Sequence, residues 1–338
     1  LVEPKDSFVH AAAALRAVVD PEWDERVFYP YDKLLTRGRV VRDRARSVSP
    51  GLVRLSSHET IEADHIVLAT GTGYPFPAKY LEESATAARA RLARLRADMA
   101  ACRQILVVGA GAVGLELAGE ITSAFPELEV ILVEREDHIL PGDHLPELRQ
   151  KLIEQLTARK VRLELSTTLA YLPVPDVGVR EPFTVHTESG TRLSAQMWFR
   201  CYGTDAPSAH LDPLLRLGMH DNGTLPVTEY LNLVGQPRVW AVGDVTDVKE
   251  NKRATAARAH AEVVAANIRS VIDGGEPVAT YHAAAELFVL PLGPEGGASQ
   301  LVDADGTRRV LGPEETSRIK GADLFSGAMA SFLGVDQA

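Results

Sequence analysis

The sequence is short of cysteine, of basic residues and of long apolar runs. Its only cysteines, Cys102 and Cys201, lie far apart, which excludes a disulfide framework, a thiolate zinc site and a Cys-x-x-Cys redox pair. Acidic residues outnumber basic ones 46 to 36, and the net charge of −10 disfavours sequence-independent nucleic-acid binding. No stretch reaches the roughly 20 apolar residues of a membrane span. The histidines show no metal-ligand spacing. We therefore expect no metal site and no nucleic-acid partner.

The opening residues resemble a segment found later in the chain. Leu1-Val2-Glu3 matches Leu132-Val133-Glu134, and residues 63–72 match residues 195–204 in pattern, so two similar modules follow each other. A glycine-rich loop precedes the second Leu-Val-Glu, whereas the corresponding loop of the first module would fall before residue 1. We therefore expect this sequence to lack the first strand, loop and helix of its first domain. Nothing at the start resembles a secretory signal, and a cytoplasmic location is the expectation.

Apolar periodicity predicts buried strands joined by helices, which is an α/β pattern. The short runs Ile66–Ala69, Ile105–Val108 and Val239–Val242 are typical of buried strands, and Ile105–Val108 is apolar on both faces, as in a parallel sheet. Glu83–Ala101 and Ala254–Ile268, rich in alanine and free of glycine and proline, are predicted helices.

A glycine motif, Gly109-Ala110-Gly111-Ala112-Val113-Gly114, lies between a predicted strand and a predicted helix. Such glycines allow a tight turn and let backbone N–H groups approach a pyrophosphate, to which the helix N-terminus adds partial positive charge. Glu134 ends the next strand about 20 residues later, where a carboxylate accepts hydrogen bonds from the adenosine ribose. This context predicts dinucleotide binding. Glu134 favours NADH, but the neighbouring Arg135 could accept a 2′-phosphate, so NADH and NADPH both stay open.

The first module predicts a second dinucleotide site. Glu3 is its equivalent acid, and Thr70-Gly71 closes the strand at 66–69, where it could contact phosphates. Gly243-Asp244 follows another buried strand and places a carboxylate at the sheet edge where α/β proteins bind ligands. The helix that begins near Ala254-Thr255 could direct its first N–H groups at a flavin. Taken singly, each of these features could also be an ordinary turn or a solvated surface.

Three further features have competing interpretations. Glu116 and Glu120 lie one turn apart on the helix after the glycine motif; Glu120 is interpreted as solvated, whereas Glu116 could approach a nicotinamide or be solvated too. Lys320 could be a surface lysine. A C-terminal apolar stripe indicates core packing or a dimer seam, with a docking face for a membrane or quinone tail as the alternative; its residues are Leu324, Phe325, Met329, Phe332 and Leu333.

The order of these motifs resembles that of the two-dinucleotide-fold FAD-dependent pyridine nucleotide oxidoreductases. Within them it is most similar to the apoptosis-inducing-factor-like, ferroptosis-suppressor-like group, relatives of the type II NADH dehydrogenases. The motifs are Lys5-Asp6-Ser7-Phe8, Ala69-Thr70-Gly71, Gly109 to Gly114, Val242-Gly243-Asp244 and Ile319 to Leu324. The resemblance implies two Rossmann-like domains and a small C-terminal α+β region. The implied segments are a truncated FAD-binding part (1–80), an NAD(P)H-binding domain (81–205), a second FAD-binding part (206–276) and a C-terminal interface or acceptor region (277–338).

The resemblance also implies a function. Such proteins pass hydride from NAD(P)H to FAD and then electrons to a quinone, with Glu116 and Lys320 near the flavin and its acceptor. Glu3, Lys5, Thr70, Gly71 and Asp244 would bind FAD. Two alternatives remain: a catalytically inactive nucleotide-binding sensor or interaction protein, and a reductase of a small electron-transfer protein.

Overall fold

The computed structural model describes residues 1–31, 34–284, 287–303 and 305–335. The strands, in chain order, are β1 (Ser7–Val9), β2 (Phe28–Pro30), β3 (Ala45–Ser49), β4 (Leu52–Leu55), β5 (Thr60–Glu62), β6 (Ile66–Leu68), β7 (Gln104–Val108), β8 (Glu129–Val133), β9 (Arg162–Glu164), β10 (Phe183–His186), β11 (Arg192–Ala195), β12 (Met197–Arg200), β13 (Asn232–Leu233), β14 (Gln236–Ala241), β15 (Phe288–Leu292), β16 (Gly296–Val302) and β17 (Arg308–Leu311). The α-helices are α1 (Ala14–Ala17), α2 (Ala85–Ala100), α3 (Ala112–Ala124), α4 (Pro146–Ala158), α5 (Ala254–Ile272), α6 (Pro313–Thr316) and α7 (Ser326–Phe332).

The chain divides into two compact units. The first unit draws on residues 1–4, 39–74 and 204–286, and the second on residues 5–38, 75–203 and 287–338. The sequence predicted residues 277–338 as a separate region, whereas the described residues from 287 onward pack within the second unit.

A parallel sheet in the order β12–β7–β8–β9 forms the centre of the second unit. Both faces of β7 are buried, and Ile105, Leu106 and Val107 have no exposed surface, as expected for a parallel strand covered on both sides. Helix α3 follows β7 directly and buries Leu117 and Ile121 completely. The predicted α/β class with a parallel sheet is therefore confirmed, and the predicted strand–loop–helix context of the glycine motif is present.

The C-terminal part of the second unit is an antiparallel sheet of β15, β16 and β17. Helix α3 packs closely on it, because a Cβ placed on Gly119 would lie 2.5 Å from the Cα of Leu292 in β15. Helix α6 continues into a π-helical turn, Ser317–Gly321, which carries Lys320. This packing brings the end of the chain against the helix that follows the glycine motif.

The first unit contains a mixed sheet in the order β13–β14–β6 and an antiparallel meander of β3, β4 and β5. Strands β14 and β6 are parallel, so their carboxyl ends meet at one edge. The sequence predicted Ile66–Ala69 as a buried strand. The structure forms the strand at Ile66–Leu68 and buries Ile66 and Leu68, whereas Val67 is 44% exposed. Helix α5 begins at Ala254 as predicted and continues to Ile272.

The predicted C-terminal stripe is split between core and surface. Leu324 and Leu333 are buried, whereas Phe325 and Phe332 are 44% and 64% exposed. In the part of the chain that the structure describes, no helix is both long enough and apolar enough to cross a bilayer.

Candidate functional site

The glycine motif forms a tight turn with one open position. Gly109 has a φ of +103° and donates its N–H to the carbonyl of Val133 over 2.8 Å. A Cβ on Gly114 would lie 1.9 Å from the carbonyl oxygen of Gly109, so only glycine fits there. Gly111 differs, because a Cβ on it would meet nothing within 4 Å. It is also the N-cap of α3 and, lacking a side chain, leaves the first turn without a side-chain cap.

The Glu134 side chain contacts this turn directly. It is buried, and one carboxylate oxygen accepts the N–H of Ala110 over 2.7 Å, while the other accepts the N–H of Glu136 over 3.2 Å. The predicted ribose-binding acid therefore also holds the loop in shape. Arg135, next to Glu134 in sequence, is exposed and pairs with Glu136 at 3.2 Å.

A second loop supports the glycine turn, and no sequence motif indicated it. Leu140 donates its N–H to the carbonyl of Ala110 over 2.8 Å. The Arg149 guanidinium in turn donates to backbone carbonyls of this loop, which are those of Ile139, Leu140, Gly142 and His144. Since a guanidinium carries five N–H donors in a fixed plane, one side chain can fix the whole loop.

Glu116 and Lys320, more than 200 positions apart in sequence, form an ion pair. Lys320 Nζ lies 2.7 Å from Glu116 Oε1, and the two side chains are 15% and 16% exposed. Glu116 lies on the second turn of α3, about 7 Å along the helix axis from Gly111. The pair is therefore partly shielded from water but still reachable, close to the glycine turn.

The prediction that Glu120 is solvated is wrong. Its side chain is 4% exposed and accepts a 2.6 Å hydrogen bond from Arg16 Nε. Burial raises the pKa of the Glu120 carboxyl above its usual value, and Arg16 opposes this shift. Glu120 lies off the apolar stripe, but α1 and the C-terminal π-helical turn cover that side of α3.

A second cluster lies at the carboxyl ends of β6 and β14 in the first unit. Thr72 donates its hydroxyl to Asp244 Oδ2 over 3.0 Å, which joins the Thr70-Gly71 turn to the predicted flavin-binding acid. Gly243 has a φ of +71° and donates its N–H to Nδ1 of the buried His260 over 3.0 Å. His260 Nε2 lies 2.9 Å from Glu250 Oε1.

The remaining predicted residues fall in several places. Glu3 pairs by its backbone with Val41, continuing a parallel bridge at Val2. Ala254 and Thr255 form the exposed first turn of α5, which has no side-chain cap. Lys5 lies in the second unit and donates to the carbonyl of Tyr80 over 2.6 Å, a contact that anchors the chain before α2. Its predicted role toward FAD stays a prediction.

Sequence reasoning missed Arg16, although a signal was present. It is the one charged residue in the apolar run from Ala11 to Val19, and a charge inside such a run requires a buried partner. No pattern in the sequence names that partner, since Glu120 is 104 positions away.

The residues present fit two dinucleotides. The open space beside Gly111 and the uncapped first turn of α3 suit a pyrophosphate. In the first unit, Asp244 at the carboxyl edge and the uncapped first turn of α5 suit the polyol and ring of a flavin. The described residues contain no group of three His, Cys, Asp or Glu side chains that could hold a metal ion.

Residues 25–262 match the family described as pyridine nucleotide-disulphide oxidoreductase. The chain is 32% identical to ferroptosis suppressor protein 1 of Mus musculus, over 89% of this chain and 81% of that protein. It is 27% identical to apoptosis-inducing factor homolog B of Dictyostelium discoideum, over 96% of this chain and 88% of that protein. A water-forming NADH oxidase from Lactobacillus brevis, solved bound to NADH, shares the fold with a TM-score of 0.68 at 18% identity, over 88% of this chain and 68% of that one.

The chain belongs to the pyridine nucleotide-disulphide oxidoreductase family. The predicted resemblance is therefore confirmed, and the protein is a member of the FAD-dependent NAD(P)H oxidoreductases. The family also supports the predicted cofactors, FAD and NADH or NADPH.

Proposed function

We propose that the protein reduces a quinone or a similar small acceptor at the expense of NADH or NADPH. The observation that carries this proposal is the shielded ion pair of Lys320 and Glu116 beside the glycine turn. Bound FAD would supply the electron transfer itself, and the protein would supply orientation and electrostatics.

The proton balance of quinone reduction by NAD(P)H suggests a role for the ion pair. Oxidation of NAD(P)H releases a hydride, which is two electrons and one proton, whereas a quinone that gains two electrons takes up two protons to become a quinol. One further proton must therefore be delivered to an oxygen of the acceptor. The Lys320 ammonium is a proton donor held 2.7 Å from the carboxylate of Glu116, and its 15% exposure leaves a route for reprotonation from water. General acids of this kind contribute about 10²- to 10⁴-fold to rate.

The cysteines of this sequence support a small acceptor rather than a protein disulfide. Cys201 is fully buried, with its carbonyl against Gly109, and burial raises the pKa of its thiol to about 12. Cys102 is half-buried, and burial raises the pKa of its thiol too. Neither residue has a cysteine close in sequence, and neither thiol is activated for exchange.

The predicted membrane contact and homodimer through the C-terminal segment also belong to this proposal. Phe325 and Phe332 are the aromatic side chains of that segment with the largest exposure, which is what contact with an apolar quinone tail or membrane surface requires.

The test compares Lys320→Met with wild-type protein reconstituted with FAD. We expect kcat with NADH and a soluble quinone to fall about 10²-fold in the variant, while the affinity for NADH stays the same. Glu116→Gln should lower kcat in the same direction. Lys151→Met is the matched control, because Lys151 forms a comparable but exposed pair with Glu147 at 3.6 Å.

Three outcomes would contradict the proposal in different ways. Equal kcat in wild type and Lys320→Met would mean that the ion pair takes no part in the reaction. NADH binding without any loss of the flavin's yellow colour would favour the inactive sensor. If the flavin is reduced and the protein turns over a small electron-transfer protein but no quinone, the chain would be a reductase of such an electron-transfer protein.

A further inference from the structure

Helix α3 carries two carboxylates one turn apart, and each has its own cation. Glu116 pairs with Lys320 at 2.7 Å, with side chains 16% and 15% exposed. Glu120 pairs with Arg16 at 2.6 Å, with side chains 4% and 5% exposed. The second pair therefore lies deeper than the first on the same helix.

The Arg16 guanidinium contacts a second partner besides Glu120. Its Nη2 donates to the carbonyl oxygen of Gly321 over 2.8 Å. Gly321 immediately follows Lys320 in the π-helical turn. One buried side chain therefore ties α3 to the backbone that carries Lys320.

Both ends of this link have little freedom to move. The Arg16 guanidinium carbon lies 4.9 Å from the centre of the Trp23 ring, which holds the guanidinium by a cation–π contact. A Cβ on Gly321 would lie 2.9 Å from the carbonyl oxygen of Pro294. The turn is closed by a 2.9 Å hydrogen bond from the Ala322 N–H to the Ser317 carbonyl. Such π-helical turns occur frequently at functional sites.

The four charges also act on one another. Glu116 and Glu120 are like charges on adjacent turns, and the proximity of Glu116 helps to raise the pKa of Glu120, although burial is the larger cause. Without Arg16, Glu120 would be an unpaired buried carboxylate, which is strongly unfavourable. Glu120 would then take up a proton, and the Lys320 turn would lose its anchor to α3.

We propose that Arg16, together with Glu120, is a positioning residue that fixes the Lys320 ammonium against Glu116. Arg16 neutralises the neighbouring carboxylate and anchors the carbonyl of the residue after Lys320. This inference rests on the proposed function only in assigning Lys320 a task; the positioning itself is a property of the folded chain.

The test measures the reactivity of the Lys320 amine in the full chain. Trinitrobenzenesulfonate modifies lysines, and mass spectrometry reports the rate at each one. We expect the rate at Lys320 to rise about tenfold in Arg16→Met, the usual value of a hydrogen bond to a charged group. Glu120→Gln should raise it less, since the glutamine oxygen can still accept from Arg16. Arg16→Lys should fall between Arg16→Met and wild type, because one ammonium cannot reproduce both contacts of the fork.

Arg96→Met is the matched control. Arg96 pairs with Asp24 at 2.8 Å and donates to the Ala17 carbonyl over 2.6 Å, with side chains of the pair 12% and 18% exposed. It is a similar ion pair of the second unit that does not contact the π-helical turn. Its loss should leave the rate at Lys320 unchanged, and Lys151 serves as the internal reference in every sample.

An unchanged Lys320 rate in folded Arg16→Met and Glu120→Gln would overturn the inference, as would an equal rise in Arg96→Met. If Arg16→Met does not fold, Glu120→Gln decides, because it keeps the shape of the contact. A kinetic readout separates the two proposals: in Glu120→Gln we expect a lower kcat for the quinone and an unchanged KM for NADH. Raised labelling with normal kcat would uphold the positioning and contradict the role of Lys320 in the reaction.

Discussion

Each of the two units contains a short parallel strand that ends in a glycine motif, yet the units surround that strand differently. In the second unit β7 is covered on both faces. Its glycine turn is held by two hydrogen bonds at Ala110, one to the Glu134 carboxylate and one from the Leu140 N–H. In the first unit Val67 of β6 is 44% exposed, and Thr72 donates its hydroxyl to Asp244 next to the turn. The same apolar pattern in sequence therefore gives different burial, because burial depends on what packs against the strand.

The largest expected difference between the units is in stability. Gly114→Ala would place a methyl group 1.9 Å from the Gly109 oxygen and should lower the free energy of unfolding by about 3 kcal/mol. Gly243→Ala in the first unit places its methyl 3.2 Å from Ala257 at a φ of +71° and should cost about 1 to 2 kcal/mol. Urea denaturation of both variants measures this order. Equal losses, or a larger loss in Gly243→Ala, would mean that the glycine turn of the second unit is less constrained than its geometry indicates.

Glu134→Gln tests the acid of the second unit. The glutamine oxygen can still accept the Ala110 N–H, so only the longer hydrogen bond from the Glu136 N–H is lost and the loop should largely keep its shape. We expect the Kd for NADH to rise about tenfold and the Kd for NADPH to change less, since the lost charge also removes repulsion of a 2′-phosphate. Calorimetric titration with both nucleotides gives the two values. Equal losses for NADH and NADPH would contradict the assignment of Glu134 to the ribose.

Asp244→Asn is the corresponding change in the first unit. The amide can still accept from Thr72, so the turn should survive. FAD affinity should fall about tenfold because a charged acceptor for the flavin polyol is lost, while NADH affinity measured in the same preparation should not change. A loss of NADH affinity with unchanged FAD affinity would mean that Asp244 in the first unit binds NADH rather than FAD.

The smallest expected difference between the units is in how a buried histidine makes stability depend on pH. Burial lowers the pKa of His10 in the second unit and of His260 in the first below 6.5. Near pH 6 these histidines therefore bind protons more readily in the unfolded chain than in the folded chain. Their neutral forms contribute their whole stabilisation above pH 6.5, and this contribution decreases as the pH falls. His10 donates to the Leu324 carbonyl through Nε2 and can do so in either charge state. His260 accepts the Gly243 N–H, which a protonated ring cannot do.

Thermal melts between pH 7 and pH 5 measure this contrast. His260→Gln should flatten the pH dependence of Tm more than His10→Gln. A larger effect of His10→Gln would show that the carbonyl contact, not the amide contact, is sensitive to acid.

Local sequence signals predicted much of this fold. The glycine motif, β7, α3 and β8 follow from periodicity over a few residues, and Glu134 directly follows β8 as the motif spacing predicts. Its hydrogen bond to the Ala110 N–H was not predicted. The resemblance named Glu116 and Lys320 together, and the structure brings them into contact, although their roles stay predictions.

The remaining features depend on contacts between distant segments. Glu120 is buried because Arg16, 104 positions earlier, and Gly321, about two hundred later, cover its side of α3. Val67 is 44% exposed although Trp240, its neighbour in β14 on the same side of the sheet, is completely buried. Periodicity reports which face of an element is apolar, but it carries no information on which distant charge will be paired.

The most direct test of the account is NADH binding by the glycine turn of the second unit. Gly111→Val places a side chain in the open position of the motif, where a Cβ would meet no atom within 4 Å. The account predicts that wild type binds NADH, that Gly111→Val has the same Tm, and that its NADH affinity is reduced at least tenfold by fluorescence titration. A folded Gly111→Val that binds NADH as tightly as wild type would contradict it.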